Sequence, residues 1–178
     1  MNIRDILSEL GKQMGLGNLK LDENKVCRLI FDKKFTVDIE ANDDESIAHI
    51  YSAVCIIPPI EKEALYEKLL DANPFGRGTG GASFGIDLEM GEILITRTLV
   101  LDKTDYQDFV NALESFVNHL EAWTEKIDKQ DYLHDKDNGI KKPKTDKFGK
   151  PKEEEPEEHD KRDDHKPHTG PDHGFLKA

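Results

Sequence analysis

Nine apolar residues recur at helical spacing between positions 106 and 127: Tyr106, Phe109, Val110, Leu113, Phe116, Val117, Leu120, Trp123 and Ile127. A stripe that long on one helix has to be buried against a sheet or another helix. The pattern predicts a helix over 104–130, with Thr104 as N-cap and Gln107 closing a capping box. The preceding hundred residues must supply the surface it packs on.

They read as an alternation of short elements. Ile3, Ile6, Leu7, Leu10 and Met14 form one stripe of a helix over 2–15, which Gly15 and Gly17 can end. KVCRLIFD (25–32) is apolar and β-rich. FTVDIEA (35–41) alternates, with Phe35, Val37, Ile39 and Ala41 inward. Asp32-Lys33-Lys34 is short enough for a hairpin between them. SIAHIYSAVCII (46–57) is apolar on both parities and is expected at the centre of the sheet, stopped by Pro58-Pro59. A second helix is expected over 60–72, with Ala64, Leu65, Leu69 and Ala72 on one stripe and Pro59 at its entrance. Strands over 82–88 and 92–101 follow, joined through Glu89-Met90-Gly91. The order α-β-β-β-α-β-β-α, dominated by hairpins, predicts an α+β domain with a twisted, mainly antiparallel sheet covered by helices.

The apolar pattern stops at about Asp131. Two parts are expected: a domain over 1–132 and a charged, Pro- and His-rich tail over 133–178. The tail cannot bury enough apolar surface to offset its ordering entropy, so disorder is expected there. The net charge of −12 is unevenly placed. Residues 1–132 hold 25 Asp and Glu against 14 Lys and Arg, a net of −11, which leaves −1 for the tail. So acidic a body repels phosphate backbones, which argues against nucleic acid and for a basic polypeptide partner. The start of the chain is amphipathic and carries acids, unlike a secretory signal. No apolar run approaches the roughly 20 residues needed to span a bilayer. A cytosolic protein without membrane insertion is expected.

Candidate chemistry is sparse. Gly76, Gly78 and Gly81 match G-x-G-x-x-G by spacing, but the motif binds dinucleotides where it follows a strand and opens a helix. Here it follows a helix and opens a strand, so a mobile connection is expected instead of a cofactor site. His165 and His168 in the tail have spacing that could touch zinc, with adventitious binding at most expected of a disordered segment. Cys27 and Cys55 read as buried reduced thiols. No serine sits in G-x-S-x-G and no catalytic set emerges, so neither an enzyme nor a cofactor is expected.

The run ALYEKLLDANPFGRGTGGASFGIDLEMGEILITRTLVLD (64–102), with the amphipathic first helix and long last helix, resembles the class I chaperones of bacterial type III secretion, the Tir-chaperone-like family. The resemblance covers about three quarters of the chain and leaves the tail outside. It implies a homodimer in the bacterial cytoplasm that binds the N-terminal segment of a secreted effector in extended form. The chaperone would keep that client secretion-competent and help deliver it to the export apparatus, without nucleotide. Carried onto this sequence, it places the client surface at Ile3, Leu7, Leu10, Met14, Leu29, Phe31 and Val37. It places the dimer interface at Leu65, Leu69 and Phe75. Two other readings stay open: a fold-related stress or regulatory binding protein without a secretion role, and a nucleotide-binding enzyme using the 76–81 loop.

Overall fold

The sheet follows from three hairpin turns and one crossover. The computed structural model describes residues 2–134, and the remainder of the expected tail, with its histidines, lies outside the described residues. The strands are β1 (Val26–Phe31), β2 (Phe35–Ala41), β3 (Ile47–Ile56), β4 (Ser83–Asp87) and β5 (Glu92–Val100). They form one sheet in the order β1-β2-β3-β5-β4, with every neighbouring pair antiparallel. The strand expected at the centre is at the centre. The α+β architecture read from the sequence is the one observed.

The helices are α1 (Ile3–Gln13), α2 (Lys62–Ala72), α3 (Tyr106–Asp128) and a short α4 (Asp131–His134). Strand alternation turns one face of the sheet inward, where Leu29, Val37, Ile39, Ile50, Ile93 and Ile95 are buried. Phe109, Phe116 and Leu120 of α3 and Ile3, Ile6 and Leu7 of α1 close over that face without measurable exposure. Each such side chain contributes about 1.5–3 kcal/mol of burial. Two 3-10 turns, Pro74–Gly76 and Leu101–Lys103, link α2 to β4 and β5 to α3. Among the described residues, no helix is long and apolar enough to cross a membrane.

Three boundaries differ from expectation. Asp105, and not Thr104, caps α3: its carboxylate accepts from the Asp108 N–H at 2.8 Å, and the Asp108 carboxylate accepts from the Asp105 N–H. The Thr104 hydroxyl instead donates to the Val100 carbonyl at 2.8 Å, which closes the preceding turn. Helix α2 begins at Lys62, because Glu61 takes a left-handed backbone (φ +55) that no helix can include. The apolar pattern also runs past Asp131, since Tyr132 is buried and Leu133 packs on the core.

Candidate functional site

The glycine stretch is built for contact and does not cradle an anion. The Gly78 carbonyl accepts from the Trp123 indole N–H at 2.7 Å, and the Gly80 carbonyl accepts from the Arg97 guanidinium at 2.9 Å. A Cβ on Gly78 would lie 2.7 Å from the Cβ of Ala72 on α2. Most of the N–H groups that a phosphate would need are already used. That of Gly78 donates to Ala72, those of Thr79 and Gly80 to Gly76, and that of Ala82 to Thr79. The segment is therefore pressed against α2 and α3 by bonds from both sides, which corrects the expectation of a mobile connection. It also occupies most of the donors on which a nucleotide site would depend.

A different concavity lies between α1, the end of β1 and the first half of α3. Leu10 and Leu113 form its floor. Met14, Phe31, Val110 and Val117 form the walls, with Gln13, Glu114 and Asn118 at the rim. The volume is about 400 Å³ and the lining is mostly apolar. Tyr106, the first residue of α3, also faces it. An open apolar concavity with a few polar groups is the form that peptide-binding grooves take.

Strand β1 forms one edge of the sheet and leads into this groove through Phe31. The Ala41 N–H donates to the Lys25 carbonyl, so positions 27, 29 and 31 bond toward β2 and positions 26, 28 and 30 face outward. Asp22 closes the first of these: its N–H donates to the Val26 carbonyl, and its carboxylate accepts from the Val26 N–H. Among the described residues, the main-chain groups of Arg28 and Ile30 face an edge with no strand opposite. Ile30 is 66% exposed. The Arg28 guanidinium is held flat on the outer sheet face by two 2.7 Å bonds to Asp38.

A second apolar patch lies at the other end of the sheet. Tyr66, Leu69, Leu70, Phe84 and Ile86 line a hollow of about 100 Å³ between α2 and the edge strand β4. Leu70 in this hollow is exposed, as are Leu88 and Met90 in the turn after β4. Phe75 stands 99% exposed in a left-handed backbone (φ +58), a backbone conformation that costs a non-glycine residue on the order of 1–3 kcal/mol.

The sequence-based site residues therefore separate. Ile3, Leu7, Leu29 and Val37 are core and present no surface to a client in this conformation, because α1 uses its apolar stripe to close the subunit's own sheet. Leu10, Met14 and Phe31 meet in the groove. Of the dimer candidates, Leu65 is core, Leu69 floors the α2–β4 hollow and Phe75 is fully exposed. Tyr106, Val110 and Val117 were not foreseen as groove residues. The signal was the width of the α3 stripe, which exceeds what one sheet face can cover.

Residues 5–124, from α1 nearly to the end of α3, match the family model of the Tir chaperone protein (CesT) family. The chain belongs to this family. A Chlamydia pneumoniae protein is 31% identical over 122 residues, spanning 68% of this chain and 92% of its own length. The Tir chaperone of Citrobacter freundii is 23% identical over 116 residues, 65% of this chain and 73% of its own. Among solved structures, a chain of the HopA1–SchA chaperone–effector complex superposes with a TM-score of 0.58 at 14% identity, covering 68% of this chain and 91% of that one. The Tir chaperone family match ends within α3, so α4 and everything after it lie outside the family span.

Proposed function

We propose that this Tir chaperone family member binds the N-terminal segment of a type III secretion effector in an extended conformation. It holds the client secretion-competent in the bacterial cytoplasm and presents it to the export apparatus. The observation that carries this reading is the apolar α1–β1–α3 groove at the end of an unpaired strand edge. An extended chain can bond to the outward main-chain groups of Arg28 and Ile30 while placing alternate side chains in the groove. The role of the HopA1–SchA structure as a chaperone–effector complex supports the same reading. Binding of this kind calls for no catalytic residue and no cofactor.

The working unit is a homodimer formed through the α2–β4 face. Phe75, Leu70, Leu88 and Met90 are apolar and exposed in the subunit, and a second copy covers them more economically than water does. Leu69 contributes from the floor of the hollow.

Co-expression of the chain with N-terminal fragments of the exported proteins of its own bacterium, followed by mapping of the retained fragment, tests the reading. One such fragment is retained by the wild type and lost in Met14→Glu, a change at a half-exposed wall position that leaves the core intact. Retention of only non-exported proteins would favour the regulatory alternative and overturn the secretion role.

A further inference from the structure

Among the described residues, Arg97 of β5 is half-buried and has no counter-charge. An arginine meets a carboxylate best through the fork made by Nε and Nη2. Arg28 offers that fork to Asp38 in two bonds of 2.7 Å, and Arg4 offers it to Glu45 at 3.1 and 2.6 Å. Arg97 uses only Nη1, which donates to the Gly80 carbonyl at 2.9 Å and to the Ala112 carbonyl at 3.4 Å. Its fork has no partner among the described residues. The Tyr106 hydroxyl is the one buried side-chain polar atom of the described residues without a partner, so the unbonded Nε and Nη2 of Arg97 reach solvent. Burial pushes the Arg97 guanidinium below its ordinary pKa and no acid acts against it, whereas Asp38 raises Arg28 and Glu45 raises Arg4. An arginine stays charged at neutral pH all the same. The glycine segment leaves the fork open. A Cβ on Gly81 would meet the guanidinium first, with Cζ and Nη2 both at 3.6 Å, and glycine puts nothing there. The Gly81 N–H, beside it, donates to no described group. Ser115 and His119 of α3 hold the segment in place, since a Cβ on Gly80 would lie 2.5 Å from each.

We propose that Arg97 is the cation of a carboxylate site, built by β5, the glycine segment and α3, that takes one aspartate or glutamate side chain of a bound polypeptide. The planar fork matches the two oxygens of a carboxylate. One positive charge on a body of net −11 suits a monoanion better than a phosphate dianion. A single pair of this kind holds a free carboxylate weakly, so the acid has to arrive on a chain that is also held elsewhere. The site lies on the opposite flank of α3 from the apolar groove: Ala112, Ser115 and His119 stand here, Val110, Leu113 and Val117 there. The proposal goes beyond the chaperone reading and needs neither the groove nor the dimer. An acidic surface turns acids away in general, and Arg97 fixes where one is admitted.

Arg97 also braces two carbonyls, so its removal would disturb the fold, and the test leaves it in place. The nitrogen-15-labelled full chain is titrated with acetyl-glutamate methylamide, which carries one side-chain carboxylate, at constant ionic strength. Acetyl-glutamine methylamide and inorganic phosphate are the comparison probes. Proton–nitrogen spectra report the Arg97 Nε–H and the Gly81 N–H. Glutamate moves both signals together and saturably, with a Kd on the order of 10–100 mM, the strength of one charge-assisted pair at a partly open site. Glutamine leaves them where they are. The Nε–H of Arg28, whose fork is held by Asp38, stays still throughout and is the internal control. Equal response to glutamate and glutamine, or none to either, overturns the proposal. So does a response to phosphate without one to glutamate, and so does an equal shift at Arg28, which would mark a non-specific salt effect. The chaperone reading is judged separately by effector retention, so a chain that keeps its effector while Arg97 ignores glutamate loses only this inference.

Discussion

Gly78→Ala is the sharpest test of the packing that joins α2, the glycine segment and α3. Gly78 does not have a positive φ, so alanine carries no backbone penalty there, and the whole effect is steric. The new Cβ would sit 2.7 Å from the Ala72 Cβ and 3.0 Å from the Ala72 Cα. Neither atom is the end of a flexible side chain, so the segment and α2 must move apart. Overpacking of this kind costs about 1–3 kcal/mol. The displacement also stretches the 2.7 Å bond from the Trp123 indole to the Gly78 carbonyl, worth about 0.5–1.5 kcal/mol more. Together these give about 2–4 kcal/mol, or a urea midpoint lower by about 1–2 M for a domain of this size. The assay is equilibrium unfolding followed by tryptophan fluorescence. The chain has one tryptophan, and it is the residue bonded to Gly78, so the reporter sits at the perturbation. Gly15→Ala is the control. Its φ of +69 predicts a cost of about 1 kcal/mol, but no atom lies within 4 Å of its added Cβ. If Gly78→Ala shifts the midpoint no further than Gly15→Ala does, the segment is not pressed on α2 and the argument for a packed strut is wrong.

Two further outcomes follow from single side chains. Phe75→Glu should leave the subunit's fold intact, because the ring is 99% exposed, and should convert the proposed dimer to monomer. An aromatic anchor is worth about 2 kcal/mol or more, so light scattering across a dilution series should show at least about a thirtyfold weaker association, and an unchanged dimer would remove Phe75 from the interface. Tyr51 is pushed up to about 12, first by burial and then by its bond to Glu40. The unfolded phenol ionises near its ordinary value of about 10, so between pH 10 and 12 the unfolded state binds fewer protons and stability falls as pH rises. Ultraviolet titration should show Tyr51 ionising last, after Tyr106, which burial also raises. Tyr51→Phe should remove the last step and reduce the slope between pH 10 and 12, and an unchanged titration curve would assign the late step elsewhere.

Much of the fold was legible because its elements are strongly periodic. The α3 stripe and the alternation of β2 each specify an element and its inward face. The hairpin at Asp32-Lys33-Lys34 was readable from its length, and the structure closes it with Asp32 and Lys33 at positive φ. The cap of α3 was misplaced by one residue because Thr104 and Asp105 can both cap. Only the 3-10 turn before them, which engages Thr104, separates the two. The site was less legible. On a helix wheel the inward stripe of α1 looks the same whether it faces a client or its own sheet, so Leu7 and Met14 could not be told apart by pattern. In the folded subunit one is sealed and the other lies at a groove wall.

The sequence by itself determined which faces are apolar, where the glycines stand, how the acids are distributed and which family the pattern resembles, because these depend on order along the chain. Only the tertiary structure decided what each apolar face covers. That the carbonyls of Gly78 and Gly80 accept from the Trp123 indole and the Arg97 guanidinium depends on residues 45 and 17 positions away. Whether the Tyr106 hydroxyl is satisfied depends on the approach of α1, β1 and α3 to one another. Burial and hydrogen bonding are properties of neighbours in space, and periodicity carries no information about which neighbours those will be.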